Sequence, residues 1–260
     1  MNSLLDLGIK AKAASKELGA ASKDLKNKAL VSIADALICR KNEIIEANSI
    51  DLEKGKQAGM SEALIDRLCL DEKRILGMAQ GVKDLCDLED PIGNVLEEFT
   101  RPNGIKIKKI SVPMGVIGII YEARPNVTSD AAAISLKAGS AVILRGGKEA
   151  FNSNLKITEI MREAIAEVGL NSDCIQLVSD TSRQSSIDLM TLKGYVDLVT
   201  MKGYEYLGDG KTSEIPVPEE SVDKIAHFRE RLVESIDGVM PSHMFLPLYT
   251  VREHIRELEN

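Results

Sequence analysis

The chain has 260 residues, 44% hydrophobic and 28% charged, an ordinary composition for a globular protein of one large or two small domains. Aromatic residues make up only 3% and Trp is absent, so the core must be aliphatic, and a net charge of −7 gives nucleic-acid binding no bulk electrostatic support. No apolar run approaches the roughly 18–20 residues of a membrane span, and the N-terminus lacks the apolar centre and cleavage site of a signal peptide, which points to a cytoplasmic chain.

Residues 3–20 and 24–47 read as helices, the second from Leu25, Ala29, Ile33, Leu37 and Ile44 at helical spacing. The stretch ANSIDLEKGKQAG closes that helix and opens a short one. Ser61 is the expected N-cap of a helix over SEALIDRL, and DEKRILGMAQGVKDLCDLED gives another that ends at DPIG. These elements form an N-terminal helical layer with charged outer faces. GNVLEEFTRPNGIKIKKISVP then alternates apolar and polar residues around Pro102-Asn103-Gly104, the pattern of a β-hairpin, with Lys106, Lys108 and Lys109 on its wet face. The four cysteines, Cys39, Cys69, Cys86 and Cys174, form no C-x-x-C pair and the chain has three His, so neither a metal site nor a disulfide framework is expected. Each cysteine has apolar neighbours and reads as a buried structural thiol.

A βαβ rhythm follows. GVIGIIY (115–121) reads as a strand buried on both faces, NVTSDAAAISLKAG as a helix closed by Gly139, and SAVILRGG as the next buried strand. NSNLKITEIMREAIAEVG is a long amphipathic helix closed by Gly169, CIQLVS a third strand, SRQSSIDLMTLKG a helix and YVDLVTM a fourth strand. Such alternation predicts an open parallel sheet covered on both sides.

Ligands of such sheets bind beyond the carboxyl ends of the strands. One strand end empties into Tyr121, Glu122, Ala123, Arg124, Pro125 and Asn126, another into Arg145, Gly146, Gly147, Lys148 and Glu149. Adjacent glycines allow close backbone approach, Arg145 and Lys148 suit a phosphate or carboxylate, and Asn126 opens a helix whose free N–H groups can face an anion or an oxyanion. The same residues also fit a tight turn and a helix entry with an asparagine cap. Neither segment is a G-x-G-x-x-G fingerprint.

The segment VPMGVIGIIYEARPNVTSDAAAISLKAGSAVILRGGKEAFNSN, with GMSEALIDRL and DPIG before it, resembles the gamma-glutamyl phosphate reductases of the aldehyde dehydrogenase superfamily over residues 1–198. The resemblance implies NADPH-dependent reduction of an acyl phosphate, L-glutamyl 5-phosphate, to L-glutamate 5-semialdehyde in proline biosynthesis, through attack by a cysteine thiolate. It places Asn126 at the oxyanion, Tyr121, Glu122 and Arg124 against substrate, and Arg145, Gly146, Gly147, Lys148 and Glu149 along NADPH. It also implies a Gly-rich loop after YVDL and a nucleophilic cysteine beyond it, whereas no cysteine follows Cys174. A truncated member, inactive alone, is the expectation.

Residues 196–236 instead resemble the end of the GTPase domain of translation elongation factor G, where a strand and hairpin precede a helix with the pattern FRERLVE. GDGK at 208–211 lacks phosphate-loop spacing and reads as a hairpin turn. The expected fold is α/β: N-terminal helices and a β-hairpin, then an incomplete doubly wound parallel sheet over 1–198, with a small α+β appendage over 199–260 ending in a helix at YTVREHIRELEN. The alternative reading is a non-catalytic chimeric binding protein.

Overall fold

The computed structural model describes residues 4–191 together with the strands at 194–197, 202–208 and 211–215. Five helices come first: α1 (Leu4–Gly19), α2 (Lys23–Cys39), α3 (Lys41–Gln57), α4 (Glu62–Leu68) and α5 (Glu72–Asp87). The single helix expected over 24–47 is two helices, and the second runs on to Gln57. Its joint is Arg40, which is both the C-cap of α2 and the N-cap of α3. The Arg40 guanidinium grips Glu43 through Nε at 2.7 Å and Nη2 at 2.8 Å, and reaches Glu163 on a distant helix. That tertiary tie fixes where the helices meet. Ser61 does precede α4, although its side chain makes no capping bond, while Asp71 caps α5 by accepting from Arg74 N at 2.7 Å.

The hairpin forms as expected, with β1 (Val95–Thr100) antiparallel to β2 (Lys106–Ile110) and Gly104 at φ +85° in the turn. Then β3 (Val116–Ile120), α6 (Asn126–Lys137), β4 (Ala141–Arg145), α7 (Phe151–Glu167), β5 (Ile175–Leu177) and α8 (Arg183–Thr191) follow in βαβ order. The three strands pair in parallel in the order β3-β4-β5. Gly139 and Gly169 close α6 and α7 at φ +67° and +90°.

β4 is the central strand and is buried throughout. Ala141 and Ile143 pack with Leu7 and Ala11 of α1, while Val142 and Leu144 pack with residues of α6 and α7 such as Ala132 and Ile157. This period-two alternation shows both faces of the sheet covered. β3 differs from its expected double burial: it lies at an edge, and Ile120 is 42% exposed. The core is aliphatic, its largest fully buried apolar side chains being Leu and Ile.

The expected fourth parallel strand is not part of this sheet. β6 (Gly194–Asp197) pairs antiparallel with β7 (Lys202–Gly208), which pairs antiparallel with β8 (Lys211–Ile215). Gly208 faces Lys211 across GDGK, which makes that motif a hairpin connection. The chain divides into two compact units, Met1–Met190 and Thr191–Asn260. The helices expected around FRERLVE and YTVREHIRELEN lie outside the described residues. Among the described residues, no helix is long and apolar enough to cross a membrane.

Candidate functional site

The two strand ends singled out in the sequence meet in space. β3 hands on to Tyr121, whose N–H donates to Arg145 O at 3.1 Å and extends the parallel ladder by one residue. Pro125, at φ −61°, precedes the first residue of α6, so Asn126 opens the helix and is not its cap. After β4, Gly146 and Gly147 lead into a 3-10 turn at Lys148–Ala150 and then α7.

The glycines are explained by this meeting. A Cβ on Gly146 would lie 2.2 Å from Asn154 Nδ2 and 3.0 Å from Tyr121 Cζ. A Cβ on Gly147 would lie 3.2 Å from Ala123 N and 3.3 Å from the Glu122 carbonyl carbon. The close approach is therefore between the two loops themselves. Beneath them, Thr128 Oγ1 donates to the buried Asn154 Oδ1 at 2.9 Å, so the Tyr121 hydroxyl must donate to Thr128 Oγ1, at 2.7 Å. Burial pushes the Tyr121 phenol up to about 12, which keeps it a donor. The Tyr121 hydroxyl thus faces the floor beneath the loops.

Arg145 is buried and well supplied with acceptors. It donates to Thr181 O at 2.6 Å, Ser182 O at 2.7 Å, Gly146 O at 2.9 Å and Ser185 Oγ at 3.2 Å, engaging four of its five N–H groups. It pins the loop after β5 to the end of β4. Lys148 is exposed and has no partner among the described residues. The start of α7 is occupied by Asp51, which accepts from Ser153 N at 2.8 Å and Ser153 Oγ at 2.6 Å.

A cleft of about 390 Å³ opens beside the first loop. Arg124, Asn126 and Asp130 line one part, and Asp66, Arg67, Cys69 and Arg74 from the α4–α5 region line another. Arg74 is committed: Nη2 pairs with Asp66 Oδ1 at 2.7 Å and Nη1 donates to Cys69 O at 2.8 Å. Asn126 Nδ2 donates to Asp130 Oδ2 at 3.2 Å, which leaves its second amide hydrogen free of that bond. Burial raises the Asp130 carboxyl above the usual range. Arg67 and Arg124 are exposed, and neither has a partner among the described residues.

Of the expected site residues, Arg124 and Asn126 share this cleft, while Tyr121 and Arg145 are turned to internal partners. Glu122 and Gly147 lie at the contact between the loops, and Glu149 projects its Oε2 to within 2.9 Å of the Gly147 Cβ position. Sequence reasoning missed Arg67, Arg74 and Asp130. Only Asp130 left a signal there, its i,i+4 spacing from Asn126. The cysteines also differ from expectation: Cys174 is buried, but Cys39 is exposed and Cys69 and Cys86 are partly exposed.

Comparison with known proteins gives this geometry a context. The profile of the aldehyde dehydrogenase family matches residues 8–209. The chain is 52% identical to a gamma-glutamyl phosphate reductase of Halothermothrix orenii over 187 residues, which cover 72% of this chain and 45% of that protein. A Clostridium perfringens protein of the same name is 52% identical over 195 residues, 75% of this chain and 47% of its own length. Among solved structures, gamma-glutamyl phosphate reductase from Thermotoga maritima superposes with a TM-score of 0.72 at 40% identity, over 73% of this chain and 46% of that one. The Saccharomyces cerevisiae enzyme gives 0.67 at 32% identity, over 74% and 49%. The chain spans about half the length of the curated relatives it matches.

Proposed function

The chain belongs to the aldehyde dehydrogenase family, and from that membership we propose that it serves the NADPH-dependent reduction of L-glutamyl 5-phosphate to L-glutamate 5-semialdehyde. The observation that supports this reading is the packing of loop 121–126 on loop 145–147 at the carboxyl ends of adjacent parallel strands, in a chain about half identical to reductases of that name.

NADPH, when bound, supplies the hydride for the acyl carbon. The residues present fit it in part. Lys148 is an exposed, unpartnered cation at the strand end and suits the extra phosphate that distinguishes NADPH from NADH. Gly146 and Gly147 keep the backbone free of side chains, and Glu149 stands at the same turn. Arg145 acts from beneath by holding the loop after β5 in place. Asn126, steadied by Asp130, has an amide hydrogen left for a developing oxyanion.

The attacking thiolate is not supplied by Cys174. It is 1% exposed, its Sγ lies 3.9 Å from Ala14 O, and burial pushes its thiol up to about 12. The purified chain is therefore expected to bind NADPH, read by the change in nicotinamide fluorescence, and to show no phosphate-dependent oxidation of glutamate 5-semialdehyde. Absence of NADPH binding would overturn the cofactor assignment. Turnover at the rate of a full-length reductase would overturn the account of the nucleophile.

A second reading concerns residues 196–236, which we propose as an appendage of the elongation factor G type. The antiparallel β6-β7-β8 arrangement supports it, since a strand and hairpin are what that resemblance implies. Co-sedimentation with ribosomes is the expected outcome, and absence from the ribosomal pellet would remove this reading.

A further inference from the structure

Three elements meet beneath the turn at residues 146–149, and a single line of hydrogen bonds joins them. Tyr121 follows β3, Thr128 lies in the first turn of α6 and Asn154 in the first turn of α7. The Tyr121 hydroxyl donates to Thr128 Oγ1 at 2.7 Å, and Thr128 donates to Asn154 Oδ1 at 2.9 Å. Thr128 is 0% exposed and Asn154 1%, so this line runs through an interior closed to bulk water, where a missing member leaves its neighbour unsatisfied. Both ends of the line bear on Gly146. Its Cβ position lies 3.0 Å from Tyr121 Cζ, 3.1 Å from Tyr121 Cε2 and 2.2 Å from Asn154 Nδ2. The Gly146 carbonyl accepts from Arg145 Nη1 at 2.9 Å, and the Arg145 carbonyl accepts from Tyr121 N at 3.1 Å. Gly146 is thus seated from beneath by a phenol ring and an amide. Lys148, two residues on, is exposed, and no side chain caps the 3-10 turn that it opens. The place of its ammonium group therefore depends on where Gly146 sits. The Tyr121 ring alone fills space; its hydroxyl is what ties that seat to α6 and α7.

We propose that Tyr121 is a positioning residue for the turn at 146–149: through Thr128 and Asn154 its hydroxyl fixes the height of Gly146, and with it the place of Lys148 against the extra phosphate of NADPH. The inference rests on the cofactor reading given above for what the turn holds, and on the hydrogen-bonded line alone for how the turn is held. Tyr121, which the sequence placed against substrate, acts here from below and touches no ligand. Its effect falls on discrimination. A displaced Lys148 loses the phosphate that only NADPH carries, while contacts common to NADPH and NADH survive.

The test compares the whole chain with Tyr121→Phe, Thr128→Val and Thr128→Ser. The first keeps the ring without its hydroxyl, the second keeps volume without the relay, and the third keeps the relay. Amide hydrogen exchange is followed at Gly146 and Gly147, and dissociation constants for NADPH and NADH are read from nicotinamide fluorescence on the same samples. Tyr121→Phe and Thr128→Val are expected to speed exchange at the two glycines and to cut the preference for NADPH over NADH, each by on the order of tenfold. Thr128→Ser is expected to behave like the parent in both. Lys148→Gln is expected to lower the same preference, and Tyr121→Phe added to it to lower it no further. A merely structural role would weaken both nucleotides equally and speed exchange throughout α6 and α7, and that outcome overturns the proposal. Exchange at the parent's rate in Tyr121→Phe overturns it too, whether or not a nucleotide binds. Faster exchange at the glycines alone, in a chain that binds neither nucleotide, would remove the cofactor reading alone. A preference for NADPH that survives Tyr121→Phe would remove the positioning role alone.

Discussion

At the scale of single residues, the two glycines after β4 do different work although they are adjacent. A Cβ on Gly146 would meet Asn154 Nδ2 at 2.2 Å, and Asn154 cannot easily yield because it is 1% exposed and accepts a hydrogen bond from Thr128. A Cβ on Gly147 meets the carboxylate tip of Glu149 at 2.9 Å, which can swing away, and backbone at 3.2 Å, which need move only a few tenths of an ångström. Gly146→Ala is therefore expected to destabilise the chain by about 1–3 kcal/mol through overpacking, and Gly147→Ala by less. Thermal melts of the two variants check the order. Equal melting temperatures would show that the Tyr121–Thr128–Asn154 floor is softer than its hydrogen bonds imply.

At the scale of elements, the α4–α5 connection that follows Arg67 is held by one side chain from a helix before it. Asn48 of α3 is buried, donates to Leu68 O at 2.8 Å and Ser153 Oγ at 3.0 Å, and accepts from Leu70 N at 2.7 Å. It satisfies backbone groups at a helix end that would otherwise be orphaned. Asn48→Ala leaves Leu68 O and Leu70 N without that partner, so a loss of about 2–3 kcal/mol is expected, or about 5–10 °C in melting temperature. A melt unchanged within error would mean that water replaces the amide. These contacts also explain what could be read in advance. Helix existence was legible from apolar spacing, because each helix buries one face. The break at Arg40 was not, because it is set by Glu43 and by Glu163 far along the chain. The edge position of β3 was not legible either. GVIGIIY is a continuous apolar run, the pattern of a strand buried on both faces, yet the residues of β3 are only half-buried or exposed.

At the scale of the whole molecule, the βαβ order and the two strand ends followed from the sequence, since local pattern determines both, whereas their meeting is set by the pairing of β3 with β4. The cleft did not, because Arg67 and Arg124 belong to elements brought together only by tertiary packing. A division into two parts was expected after residue 198, and the two compact units divide earlier, at Met190–Thr191, where Tyr195, Val196 and Asp197, expected in a buried parallel strand, pair antiparallel with β7. That pairing leads to a prediction about folding. Among the residues whose burial is described, the main core cluster, from Ala14 to Ile175, and the smaller cluster of Leu7, Ala11, Ala141, Ile143 and Val178 lie in the first unit. The β3-β4-β5 ladder draws no strand from the second unit. A chain ending at Met190 should therefore fold cooperatively and melt within about 3 °C of the parent, a shift of roughly 1 kcal/mol at this size. A truncated chain without a cooperative transition would show that the first unit depends on residues after 190 for its stability, which its self-contained core argues against.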